Sequence, residues 1–262
     1  MRPFLRSSLR ALVFAWVFLA ASCRVQPRSV GVPGRDDETE EVEGDDEVPL
    51  TQSCPPQAWR GPEGIIVEAR RQLAAMRVTA YDHHTVIDEL RGLYRCDCSA
   101  FVDYVLACTA PEALASLRTF SREGRRPQAR TYVALLNRLQ AGQESGSWRR
   151  LRSPVDLRPG DIIAWLAPNR RPDFTGHVNT GHVMIVDTPA VPRGPDEWVV
   201  GVIDSSTGHG GDDPRRAPEH AGIGRGQVVL ITDGMEVAGF RRSAARANSP
   251  RYFSTVALGR VE

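Results

Sequence analysis

An α+β fold, with N-terminal helices packed on a mostly antiparallel β-sheet, is predicted from three features of this 262-residue chain. Beyond residue 60 the apolar residues first recur at helical spacing, then gather into β-branched runs, and Gly and Pro turns separate the segments. Helices that precede strands, instead of alternating with them, mark an α+β domain. The first helix starts at Pro62-Glu63, where proline suits the opening turn, and carries Ile65, Ile66, Ala69 and Leu73 on one face. Further helices are predicted at 98–106, 111–117 and 130–139. Strands are expected at 161–166, 182–187, 198–204, 227–232, 237–241 and 253–258. Roughly 200 residues from Pro62 onward suit one domain able to bury a full core.

The segment Arg95-Cys96-Asp97-Cys98-Ser99-Ala100-Phe101-Val102 carries the strongest chemical signal, because Asp-Cys-Ser stands directly before apolar residues at helical spacing. A thiol at a helix start meets unpaired N–H groups and positive partial charge, so Cys98 is expected to lean toward thiolate. The alternative is a small buried apolar cysteine or half of a disulfide. Two downstream segments weigh against that alternative. Leu157-Arg158-Pro159-Gly160-Asp161 feeds an apolar strand, and Gly181-His182-Val183-Met184-Ile185-Val186 is a second strand headed by histidine. Val202-Ile203-Asp204-Ser205-Ser206 closes a third β-rich run with a carboxylate. Nucleophile, base and orienting group then follow in the order Cys98, His182, Asp204. His177 repeats the Gly-His-Val pattern, but polar Asn179-Thr180 follows it, so His182 is preferred as base.

These blocks resemble the NlpC/P60 cysteine peptidases of bacterial cell walls, which are papain-like in fold. Asp97-Cys98-Ser99-Ala100-Phe101-Val102 looks like the family's Asp-Cys-Ser-Gly-Phe-Val block, with Ala100 in place of glycine. The Leu157 to Asp161 turn and Gly181-His182-Val183 look like its two strand-heading blocks, so the resemblance spans residues 62–210. Asp204 stands where the family more often has His, Asn or Gln. The resemblance implies a papain-like, NlpC/P60-like fold with Cys98, His182 and Asp204 as catalytic residues and no cofactor. It also implies a tyrosine in the oxyanion pocket, for which Tyr81 is the nearest match and Tyr94 a competitor; the family's Tyr-x-x-Gly-Gly context is missing around Tyr81. The implied reaction is cleavage of an amide in a peptidoglycan stem peptide. A CHAP-type amidase shares the cysteine-then-histidine order but not the Asp-Cys-Ser-x-Phe block. A non-catalytic envelope-binding lipoprotein module is the rival from outside enzymology.

Location is read from the N-terminal region. Arg2, Arg6 and Arg10 precede the apolar stretch 11–20, followed by Ala21-Ser22-Cys23, so residues 1–22 read as an export signal too short to span a bilayer. Ala20-Ala21-Ser22-Cys23 resembles a bacterial lipobox with Cys23 as the lipidated residue, although Leu19 lies one place early. The expected location is the cell envelope, on the periplasmic side of an outer membrane, because Arg24 is not the aspartate that retains lipoproteins at an inner membrane. Simple secretion is the alternative. Residues 23–60, with the acidic run 36–47, read as a disordered tether before the catalytic domain at 61–262.

Composition narrows the partners. Net charge is +1, and all the basic side chains are arginine, in clusters at Arg122, Arg125, Arg126 and Arg130 and at Arg149, Arg150 and Arg152. No zinc, RNP-like or helix-turn-helix signature accompanies them, so nucleic acid is not expected; the clusters are read as solvating helices or meeting anionic envelope polymer. No metal is expected, since Cys96-x-Cys98 is one residue short of a zinc knuckle. Cys54 is expected to pair with Cys96 or Cys108, while a strained Cys96–Cys98 bridge stays open. His209 is read as either a cleft residue or an exposed loop residue, His83, His84 and His220 as surface, and Trp165 as core.

Overall fold

The computed structural model describes Cys54 and residues 61–121, 125–140, 142, 144–169, 176–211, 213–215, 218–245 and 248–262. The export signal, the lipidation site Cys23 and the tether other than Cys54 lie outside the described residues. The chain is α+β with a mostly antiparallel sheet, as the sequence predicts, and what is described belongs to one unit within Gly44–Glu262.

Helix α1 (Pro62–Ala75) leads into a three-stranded sheet of β1 (Val78–Ala80), β2 (Val86–Asp88) and β3 (Leu93–Arg95), which the sequence pattern did not reveal. At three residues each, these strands are too short to show an alternation. Helices α2 (Cys98–Thr109), α3 (Pro111–Arg118) and α4 (Ala129–Arg138) follow. Asp97 caps α2 by accepting the Ala100 N–H at 2.8 Å, which fixes Cys98 as the first helical residue. Pro111 ends the run and opens α3. Helix α2 is buried almost all round, so it forms the middle of the helical layer. Cys54 is disulfide-bonded to Cys108 near its end, and Cys96 and Cys98 are free. None of the described helices is long and apolar enough to cross a membrane.

The main sheet comprises β4 (Glu144–Ser145), β5 (Trp148–Leu151), β6 (Ile162–Leu166), β7 (Gly181–Pro192), β8 (Glu197–Ser206), β9 (Gly222–Asp233), β10 (Glu236–Arg241) and β11 (Val256–Val261), ordered β10-β9-β8-β7-β6-β11-β5-β4. Every pair in it is antiparallel. Alternation divides the core in two. Ile162, Ala164, Val183, Ile185 and Ile203 pack with the helices, whereas Ile163, Trp165, Met184, Val186 and Val202 pack on the other face. That second face closes on itself: β10 touches β11 although four strands lie between them, and Phe240 of β10 stacks on Trp165 with ring centroids 4.0 Å apart. Trp165 is therefore core, as expected. Strand β5 lies within the arginine cluster read as helix-solvating; buried Trp148 and Leu151 bracket Arg149 and Arg150.

A carboxyl group is buried in helix α2. Asp103 is 1% exposed, accepts the Tyr132 hydroxyl at 2.5 Å and leaves Oδ2 without a partner. Burial pushes it from an ordinary 3.8 to about 7, with Arg126 opposing. Between those two values the folded protein holds a proton that the unfolded chain has lost, so stability falls as pH rises through this window and levels off above it. The loss is on the order of 1.4 kcal/mol per pH unit. Asp103→Asn is expected to flatten that slope and to raise the melting temperature relative to wild type at pH 8. Parallel melting curves for the two proteins from pH 5 to 8 would show that Asp103 stays ionised throughout.

Candidate active site

Cys98 sits at the N-terminus of α2, packed against the start of β7, and is 5% exposed. The backbone N–H of Val183, the residue after His182, faces its sulfur. Asp97 is itself held from several sides: it accepts the Ser99 hydroxyl at 3.0 Å and the His83 ring at 3.0 Å, and it pairs with the Arg126 guanidinium. Arg126 also donates to the Ser99 hydroxyl at 2.7 Å. This arginine is thus a buried partner of Asp97 and Ser99 and not a solvated surface charge, and His83 is no free surface residue. The expectation that the helix start draws Cys98 toward thiolate is overturned. Burial pushes the thiol up, the adjacent Asp97 carboxylate adds to it, and the Val183 N–H opposes both incompletely.

His182 is the second residue of β7, opposite Trp165, its ring centroid 5.6 Å from the indole. The register that pairs Ile185 with Ile203 sets Asp204 diagonally across from His182 on the same sheet face. His182 Nε2 lies 2.5 Å from Asp204 Oδ2. A carboxylate only accepts, so the imidazole carries its proton on Nε2 and keeps its lone pair on Nδ1. Burial lowers the His182 pKa and Asp204 offsets only part of that, so the ring is neutral at neutral pH. Among the described residues no hydrogen bond joins the Cys98 sulfur to the His182 ring. The thiol approaches β7 from the helix side, whereas His182 shares its face with Met184 and Trp165.

Asp204 is fully buried and has more partners than the three-residue pattern requires. Arg215 Nη1 donates to Oδ1 and to the Asp204 carbonyl, both at 2.9 Å, and to the Gly222 carbonyl at 2.8 Å. His209 reaches Oδ2 through Nε2 at 2.9 Å and the Arg242 carbonyl through Nδ1 at 2.7 Å. Both of those partners are acceptors, so both ring nitrogens carry hydrogen and His209 is an imidazolium. Its pKa is raised accordingly: burial opposes the charge, and Asp204 more than compensates. Burial likewise works against the Asp204 charge, but His209 and Arg215 hold it well below the usual carboxylate range. Asp213 completes the group, bonding Arg215 through Nε and Nη2 and accepting the His209 backbone N–H at 2.8 Å.

The sequence carries a local signal for this layer. Strand β9 opens Gly222-Ile223-Gly224-Arg225-Gly226, with glycine at every second position on the face that opposes Asp204. A Cβ at Gly224 would lie 2.5 Å from Arg215 Nε, and one at Gly226 would lie 2.3 Å from His209 Cδ2. The bare strand is the floor on which Arg215 and His209 pack.

Other expected residues fall as follows. Tyr81 is half-buried, its ring 5.5 Å from His83, which in turn lies 4.3 Å from His177. Tyr94 is fully buried in the core and cannot face a substrate. Cys96 is also fully buried, its carbonyl accepting the Ser205 hydroxyl at 2.6 Å. His182, Asp204 and His209 each offer one ligand atom, all within 4.8 Å of one another, as in a metal site. Arg215 on the same carboxylate already balances its charge together with the ring protons, so the donor set does not call for a cation. No protein-family model, curated protein or solved structure matches the chain. The residues alone therefore carry the functional argument.

Two outcomes are expected. Alkylation of Cys98 by iodoacetamide in the free protein, followed by site-resolved mass spectrometry, should show an apparent pKa above the free-thiol value of about 8.5. One between about 4 and 7 would contradict a buried neutral thiol. Gly224→Ala should cost about 2 kcal/mol or more in chemical denaturation by crowding Arg215 against its carboxylates. Gly194→Ala is the control, because nothing lies within 4 Å of its Cβ position.

Proposed function

We propose that this chain is a cell-envelope cysteine hydrolase of the NlpC/P60 kind, with a papain-like arrangement, that cleaves an amide bond in a peptidoglycan stem peptide. The observation that carries the reading is the meeting of the α2 N-terminus with the head of β7, where Asp204 fixes the His182 tautomer with Nδ1 unprotonated. In the reaction, Cys98 passes its thiol proton to Nδ1 while the sulfur bonds to the carbonyl carbon. His182 returns that proton to the leaving nitrogen as the C–N bond breaks, and water then hydrolyses the thioester. The Cys98 backbone N–H and Tyr81 are the proposed oxyanion donors. Asp204, kept ionised by Arg215 and His209, supports the imidazolium that forms. Because the thiol lies on the helix side of β7 and His182 on the other face, the reaction requires substrate binding to bring the sulfur off the Val183 N–H and within reach of Nδ1, as catalytic hydrogen bonds tighten in the substrate complex.

Lipidation at Cys23 and anchoring at the periplasmic face of an outer membrane belong to the same proposal. Its support is the export-like pattern of residues 1–23, together with the Cys54–Cys108 disulfide, a bond typical of oxidising compartments. A second reading, a binding module without catalysis, draws support from the buried neutral thiol and the absence of a Cys98–His182 hydrogen bond.

Digestion of purified peptidoglycan separates them. Wild type should release stem-peptide fragments, with Cys98→Ala and His182→Ala each lowering the rate by about a thousandfold or more. Sedimentation with the polymer, without release above the Cys98→Ala background, gives the binding module instead.

A further inference from the structure

The arginines at 149–152 do not belong to the site above, and they line something else. A cavity of about 460 Å³ is walled by Arg149, Arg150, Arg152, Arg158 and Arg260, within the size range of small-molecule pockets. It lies at the opposite end of β6 from Trp165, the partner of His182, since Arg158 precedes the first residue of that strand.

The five guanidiniums are not equivalent. Arg260 is clamped on Asp161 through two bonds of 2.8 Å and donates to the Asp156 carbonyl at 2.7 Å, making a fixed wall. Arg149 pairs with Glu262 at 2.9 Å. Arg152 pairs with Glu236 at 3.1 Å, but both side chains are more than half exposed, so solvent weakens that pair. Arg150 has only a neutral partner, the Leu139 carbonyl at 3.2 Å. Arg158 makes no ion pair among the described residues. Asp156 is the lone carboxylate among the described residues that line the cavity, while Leu151 and Val155 add apolar surface.

We propose that this cavity binds a phosphomonoester, its phosphoryl group between Arg150 and Arg158 and its organic part against Leu151 and Val155. A guanidinium fork matches phosphate oxygens in pairs, and a phosphomonoester brings the multiple negative charge that two uncompensated arginines need. The volume exceeds what a bare phosphate fills, so an organic scaffold is expected. A soluble sugar phosphate and a lipid headgroup share this chemistry. The proposal is independent of the peptidase reading.

Calorimetric titration of the full chain with glucose 6-phosphate, against glucose and inorganic phosphate, is the test. Saturable binding is expected for the ester, absent for glucose, weaker for inorganic phosphate and unchanged in Cys98→Ala. Arg158→Ala, at an exposed position, should weaken it about tenfold or more without altering the melting temperature. Arg150→Ala provides a second, independent variant. Co-sedimentation with phosphatidic acid vesicles, lost in Arg158→Ala, would assign the headgroup as the source, whereas binding of the sugar phosphate alone would assign a soluble ligand. No saturable binding of either phosphomonoester, or equal binding by wild type and both arginine variants, overturns the proposal.

Discussion

A carboxylate with no solvent exposure has to be compensated, and much of the candidate site follows from how Asp204 meets that demand. Arg215 covers one oxygen, while His209 and His182 converge on the other. Each partner places a constraint elsewhere. Arg215 needs Asp213 and the Gly222 carbonyl to use its remaining donors. His209 needs the Arg242 carbonyl, which ties the segment after β10 to the loop after β8. Strand β9 has to stay bare at Gly224 and Gly226 to leave room for both side chains. The charge of one aspartate thereby organises the ends of three strands and the loop between two of them.

The same arrangement sets the protonation pattern. With two cations on Asp204, the carboxylate stays ionised, and its remaining acceptor capacity fixes the proton of His182 on Nε2. The lone pair on Nδ1 is what a general base requires. The cost is that Asp204 shares its charge among three partners, so burial still dominates at His182 and the ring rests neutral. Cys98 is neutral for a related reason: burial pushes its thiol up, and the Asp97 carboxylate adds to that even though Arg126 neutralises part of its charge. A neutral thiol and a neutral imidazole do not form a preformed ion pair.

Much of this was legible in the sequence where the signal is local. The Asp97 cap and the apolar helix behind it place Cys98 at a helix start, and the helix observed opens at that residue. The runs headed by Gly181 and ending near Asp204 became neighbouring antiparallel strands, because alternation and β-branched content are local properties. Less legible were the short strands β1 to β3 and strand β5, where Arg149 and Arg150 mask a strand buried at both ends. His209 and Arg215 were missed as a pair because the loop that carries them has no periodicity. Only the glycines at every second position of β9 hinted that large side chains would lie across the sheet.

By itself, the sequence determined that helices precede the main sheet, that one thiol opens a helix behind the Asp97 cap, and that a histidine and an aspartate stand near the ends of adjacent strands. These follow from spacing, capping and turn chemistry, which act over a few residues. Only the tertiary structure decided that Cys54 pairs with Cys108, that Cys98 is protonated, that Arg126 faces inward to Asp97, and that His209 carries a charge beside Asp204. Those outcomes depend on desolvation and on partners far along the chain, such as Arg126 for Asp97 and Arg242 for His209. A charge or a thiol in isolation has an ordinary pKa; what is packed against it decides whether it keeps that value.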